Sequence, residues 1–135
     1  MTMASDPGWP VLIAIASFYP MLATVVAHYY SLFAVMGSST RTLVLEPLMA
    51  SAFFVVAVAG FKKNLWLIVA ALAGHGVFDF FHHLFIQNPG VPVWWPGFCL
   101  SFDVLAGGFL AMLLTGGFFH AASLTQFDWH TFSKC

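Results

Sequence analysis

Charge is what this chain has least of. Four lysines and arginines and five aspartates and glutamates make up 7% of its 135 residues, whereas a soluble domain carries about 25% charged residues. So few charges cannot cover the surface of a domain this size, so most of that surface is expected to meet lipid. The two signs nearly cancel, giving a formal net charge of -1. No basic field attracts a phosphate backbone, which excludes nucleic acid as a partner. Two cysteines, Cys99 and Cys135, are too few for a disulfide framework. Cys99 reads as a small apolar filler. The residues before Pro7 include no lysine or arginine, so the positive region of a secretory signal is missing. The apolar run that follows continues to His28-Tyr29-Tyr30 and reads as a retained helix. There is no low-complexity run and no clear internal repeat.

What the chain has is apolar length, with 61% hydrophobic residues. A helix crosses the hydrocarbon core with about 20 apolar residues, and open sheet edges do not survive in lipid. Four segments qualify: 10–36, 46–61, 65–86 and 98–119, followed by a polar tail over 120–135. The expected fold is all-α, an integral membrane four-helix bundle in one domain. Gly37-Ser38-Ser39-Thr40 ends the first helix. Glu46-Pro47 reads as the start of the second, with the carboxylate near the N-terminus and proline in the first turn. That leaves the second helix barely long enough to span. Gly60-Phe61-Lys62-Lys63-Asn64 is a tight polar turn, and Gln87 to Pro92 is a longer loop ending at Trp94-Trp95-Pro96. Pro20 lies inside the first helix and is expected to kink it.

Orientation follows from lysine and arginine. Lys62, Lys63 and Lys134 fall on the side of both termini and Arg41 alone on the other. Both termini are therefore expected in the cytoplasm, with the chain in an inner or plasma membrane. Trp94 and Trp95 then lie at the opposite interface, where such a pair is most often an anchor and less often a lid over a site. His120 and His130 read as interfacial and tail residues. Lipid is the expected partner, and a second copy or a larger membrane complex would suit so small a chain.

Ionisable groups inside a bilayer are costly and mark site hypotheses. They concentrate in Gly74-His75-Gly76-Val77-Phe78-Asp79-Phe80-Phe81-His82-His83. At about 1.5 Å per residue, His75 falls near mid-membrane, and Asp79, His82 and His83 lie progressively nearer the end opposite the termini. His28, Glu46 and Asp103 reach the same half from the other three helices. At about 100° per residue, the four groups of the third helix share one arc. Ser17, Thr24, His28 and Ser31 share a stripe on the first helix. Asp103 shares a face with Gly107, and Glu46 stands above Ala50, Phe53 and Ala57. One polar pocket is expected, walled by His28, Glu46, His75, Asp79, His82, His83 and Asp103, with Trp94 and Trp95 over it.

Three chemistries suit such a pocket. Acid–base catalysis assigns the catalytic roles to Asp79, His82, His83, Asp103 and His75. Asp79 would be the proton donor, His82 or His83 its partner, and Asp103 a stabiliser of developing positive charge. Glu46, Trp94 and Trp95 would line the substrate pocket, the tryptophans offering aromatic faces to a cation. Metal binding uses His75, Asp79 and His83, spaced i, i+4 on one face. The zincin pattern and the multiple histidine boxes of membrane di-iron hydroxylases are both missing. Haem binding uses His28 with His82 or His83 as axial ligands, with Gly74, Gly76, Gly107 and Gly108 making room.

The run Gly74-His75-Gly76-x-x-Asp79-x-x-His82-His83, followed by Trp94-Trp95-Pro96-x-Phe98-Cys99 and Asp103, resembles small four-helix bacterial membrane proteins of unassigned function. More distantly the layout resembles the emopamil-binding/sterol-isomerase superfamily. The shared pieces are the Gly-x-x-x-x-Asp helix from Gly74 to Asp79, a polar loop and a tryptophan-led final helix, roughly the second half of the chain. Of the acidic pair in the earlier helices, only Glu46 has a counterpart here. The resemblance implies a short bundle in which histidine and carboxylates move a proton on a double bond of a lipid or isoprenoid: an isomerase, or a cyclase of related chemistry.

Overall fold

The computed structural model describes residues 9–116, and these fold into four helices with no strand among them. The helices are α1 Trp9–Met36, α2 Thr40–Lys63, α3 Trp66–Phe85 and α4 Trp95–Thr115. All four are long and apolar enough to cross a membrane. The tail over 120–135, with His120, His130, Lys134 and Cys135, lies outside the described residues, as does the expected end of the last helix at residue 119.

Each connection has a local cause. The chain leaves α1 at Gly37, whose N–H donates to Phe33 O at 2.8 Å, and turns through Ser38 in the left-handed region at φ 53°. Ser39 is extended and caps α2, where the Thr42 hydroxyl donates back to Ser39 O at 2.9 Å. At the far end, Lys62 and Lys63 occupy the last turn of α2, where cations complement the helix dipole. Asn64 then ties the turn: its N–H donates to Gly60 O, and its Oδ1 accepts from the Trp66 N–H. Pro96 sits in the first turn of α4, where no intrahelical donor is needed.

The second helix corrects the expectation that Glu46-Pro47 opens it. α2 starts at Thr40, and Pro47 lies inside it. A proline this close to a helix start removes only one interior hydrogen bond, to Leu43 O, so six further residues join the helix. α2 is therefore 24 residues long and, like its neighbours, long and apolar enough to span. α4 likewise begins at Trp95 rather than Phe98. α1 continues unbroken through Pro20.

Packing is closest within the α1–α2 and α3–α4 pairs, and α3 touches all three other helices. The apolar core fills the half nearer the 64–65 turn, where Tyr19, Ala23 and Val26 of α1 meet Ala57 of α2, Ile68 and Leu72 of α3 and Leu110 of α4. Alanine and glycine at these contacts let backbones approach, as is usual between apolar helices. Phe18, Leu48, Phe80 and Leu105 point outward. At the other end the 37–39 turn and the 86–94 loop lock together: a side chain at Gly90 would strike Phe33 O and the Gly37 backbone. Only glycine fits there, and the contact fixes the loop that carries Asn88.

Candidate functional site

The polar residues collect in the half of the molecule nearer those two loops, and they do so twice. The outer cluster is built around Glu46, buried in the second turn of α2. His82, in the last turn of α3, points its Nε2–H at this carboxylate, 2.9 Å from Oε1 and 3.0 Å from Oε2. The Asn88 side-chain amide donates to Glu46 Oε1 at 2.9 Å and to Tyr30 O at 3.2 Å. Asn88 is held in turn by the Gly90 N–H, which donates to its Oδ1. The Tyr30 ring covers the His82 imidazole, with centroids 4.2 Å apart, and Phe78 meets it edge-on at 5.7 Å.

The inner cluster lies about 10 Å further along α3, seven residues at 1.5 Å each. His75 and Asp79 stand one turn apart on α3, and Asp103 reaches them from α4. The His75 Nδ1–H donates to Asp103 Oδ2 at 2.7 Å and lies 3.4 Å from Asp79 Oδ2. Gly76 makes this possible, because a Cβ there would stand 3.1 Å from Asp103 Cβ and 3.2 Å from Leu100 O. Phe53 of α2 closes on His75 edge-on at 4.8 Å. Cys99 is buried beside Asp79, one turn before Asp103. Asp79 and Asp103 are both 0% exposed. Both oxygens of Asp79 and Oδ1 of Asp103 are buried without a hydrogen-bond partner among the described residues.

The single expected pocket is thus two clusters, and four assignments change. His28 is exposed, and its Nδ1–H donates to Thr24 O at 2.7 Å within its own helix. With His28 exposed and His82 buried with its Nε2 engaged on Glu46, the two are not brought together as an axial pair. The space expected for a porphyrin is also missing at two of the glycines. Gly107 packs against Val69 O and the Leu72 side chain, and Gly76 against α4. His83 is exposed: neighbours on a helix diverge by about 100°, and His82 takes the inward direction. The metal-ligand set therefore loses His83, and the donors brought together are His75, Asp79 and Asp103. Asp79 partners His75 rather than His82 or His83. Trp94 is 64% exposed, while Trp95 turns onto Tyr29 and Phe33 of α1 at 5.1 and 4.9 Å. Trp94 thus stands outward and Trp95 packs on α1, and neither lines the groove beside His82, which suits an anchor better than a lid.

Two expectations hold in detail. Glu46 stands over buried Ala50 and Ala57 and half-buried Phe53, as its helix face requires. His75, Asp79, His82 and Asp103 all face inward. Asn88 and Tyr30 are site residues that the sequence reading does not single out. The one signal for Asn88 is its place in an Asn-Pro-Gly turn at the end of the molecule that also carries Glu46.

An open groove of about 750 Å³ lies against the outer cluster. His82 and His83 line it together with Ile86, Pro89, Pro92 and Val93. A carboxylate-held imidazole beside a mostly apolar groove can hold and pass a proton to whatever lies there. Comparison with known proteins found no matching family model, no similar curated protein and no similar solved structure.

Proposed function

We propose that this chain is an integral membrane four-helix protein that moves a proton on an apolar lipid or isoprenoid lying in the end groove, as an isomerase or cyclase. Its place would be the inner or plasma membrane, with both termini cytoplasmic and Lys62 and Lys63 on that face. The observation that carries the reading is His82, which lines the groove while its Nε2–H is fixed on Glu46.

The roles follow from that geometry. Glu46 sets the tautomer and orientation of the ring, the part a carboxylate plays behind a general-base histidine. With Nε2 engaged, Nδ1 is the atom left to exchange a proton with the substrate. Protonated His82 would donate that proton to one carbon of a double bond, leaving a carbocation. The neutral ring would then take a proton from an adjacent carbon, so the bond moves and the proton count is unchanged. The Tyr30 ring, 4.2 Å away between centroids, packs on the imidazole and helps hold its orientation. The donor role expected of Asp79 passes to His82, since His82 lines the groove and Asp79 does not. The groove lies within the size range of small-molecule sites, about 300–1,000 Å³.

Deuterium tests this while the substrate is still unidentified. The purified chain is incubated in D₂O with a total lipid extract of its own host membranes, and the lipids are read by mass spectrometry. One lipid class should gain deuterium. His82→Ala should cut that rate about 10²–10⁴-fold, the usual weight of a general acid–base group, while His83→Ala should leave most of it. If no lipid gains deuterium above a protein-free control, the reading is lost. A second reading is favoured by Asn88, which joins Glu46 to the Tyr30 carbonyl: the outer cluster would serve only to tie α1, α2, α3 and the loop. Under that reading His82→Ala lowers thermal stability and changes no lipid.

A further inference from the structure

We propose that His75, Asp79 and Asp103 bind a divalent transition-metal ion in the interior of the bundle, separately from the groove chemistry at His82. Each residue offers one donor atom, and the three donors lie within 4.8 Å of one another. Ligand atoms around a tetrahedral ion with bonds near 2.05 Å stand about 3.4 Å apart. His75 Nδ1 is already 3.4 Å from Asp79 Oδ2 and 2.7 Å from Asp103 Oδ2. The second of these pairs has to open by less than about 1 Å, and the ring has to carry its proton on Nε2 so that Nδ1 can bind the ion.

Unsatisfied oxygens point to a cation independently of that spacing. Two carboxyls share one imidazole N–H. That N–H serves Asp103 Oδ2 and stands 3.4 Å from Asp79 Oδ2; beyond it Asp79 has only the weakly donating Cys99 thiol beside it, and Asp103 Oδ1 is buried without a partner among the described residues. A buried carboxylate without a partner is costly, and coordination to a metal is one of the few ways to hold it. Charge agrees as well. Two carboxylates and a neutral imidazole carry two negative charges, which one divalent ion cancels. The described cations do not reach the site, because Arg41, Lys62 and Lys63 are all exposed near the ends of α2. Two bound protons would neutralise it equally, so metal and protons compete for the same oxygens.

The donor set selects the ion. One imidazole with two carboxylates suits zinc, iron or manganese, whereas calcium and magnesium prefer oxygen alone and more ligands. Three protein donors leave a fourth position open, the pattern of exchangeable rather than purely structural sites. The ligands come from α3 and α4, locked together where Gly76 and Gly107 allow close approach, so the site is held by two rigid elements.

The full chain, purified in detergent without chelators from cells supplemented with zinc, iron and manganese, should carry about one equivalent of one of these metals by elemental analysis. Asp79→Asn and Asp103→Asn should each lower that content at least about tenfold, and His83→Ala should leave it unchanged. Two readouts need only the wild-type chain. After chelation, Co²⁺ should produce visible ligand-field bands, and Zn²⁺ should raise the melting temperature. A wild-type chain that retains no metal, shows no cobalt bands and gains no thermal stability from zinc overturns the proposal. Equal metal content in wild type and both asparagine variants, each folded by circular dichroism, also overturns it.

Discussion

The two polar clusters share residue types, burial and helix α3, yet they are finished differently. In the outer cluster the carboxylate is matched: Glu46 receives His82 through one hydrogen bond and Asn88 through another, and the donors come from another helix and a loop. In the inner cluster two carboxyls share one imidazole, and three oxygens have no hydrogen-bond partner among the described residues. Low dielectric makes a satisfied polar network strong and an unsatisfied one costly. The matched cluster can therefore act as a joint and as an oriented acid–base pair with nothing added. The unmatched one leaves buried carboxyl oxygens that a proton or a cation would satisfy.

Removing the centre of the matched cluster should have the largest effect. Glu46→Ala leaves the His82 Nε2–H buried without its acceptor and removes one of the two acceptors of the half-buried Asn88 amide. Breaking one side of a buried pair costs about 3–5 kcal/mol. Thermal unfolding in detergent, followed by circular dichroism, should show a much lower melting temperature, with Glu46→Gln closer to wild type. Gly90→Ala attacks the same cluster through the backbone. Its new methyl group meets Phe33 O and the Gly37 backbone, pushes the loop outward and draws Asn88 off Glu46. Overpacking of this kind costs about 1–3 kcal/mol. Gly97→Ala, which has nothing within 4 Å, is the matching control and should be close to neutral.

Much of this fold is legible in the sequence and some of the site is not, for reasons that differ by residue. Four long apolar helices follow from the near absence of charge and from the turns at Gly37-Ser38 and Asn64. The inward direction of Glu46, His75, Asp79 and Asp103 follows from helical period alone. Period does not separate His82 from His83, because an arc of about 100° admits both, and only the position of Glu46 decides between them. It also misplaces His28. Thr24 and His28 form a polar stripe on α1, but Thr24 donates to Pro20 O and His28 to Thr24 O. Side chains that bond to their own helix carry no information about its neighbours. The start of α2 is misread from sequence because a Glu-Pro pair is acceptable both at a helix start and one turn further in. Asn88 belongs to a loop, where no period applies.

The unmatched cluster gives the smaller and more diagnostic effects. In metal-free protein, Asp103→Asn replaces the acceptor of the His75 bond with an amide oxygen of the same shape. Asp79 Oδ2 stands 3.4 Å from the same nitrogen and can take over part of the role. The cost should be about 0.5–1.5 kcal/mol, one ordinary hydrogen bond, well below that of Glu46→Ala. Asp79 is the sharper case, because its only partners are weak: the His75 nitrogen at 3.4 Å and the Cys99 thiol. Replacing a poorly satisfied buried ionisable group with an apolar one of similar volume is often neutral or stabilising. Asp79→Leu should therefore leave the melting temperature of chelated protein unchanged or raise it. In zinc-loaded protein the same substitution should lower it relative to wild type. A large loss of stability in the chelated form would mean that Asp79 is held by its neighbours as firmly as Glu46, and the contrast between the two clusters would fail.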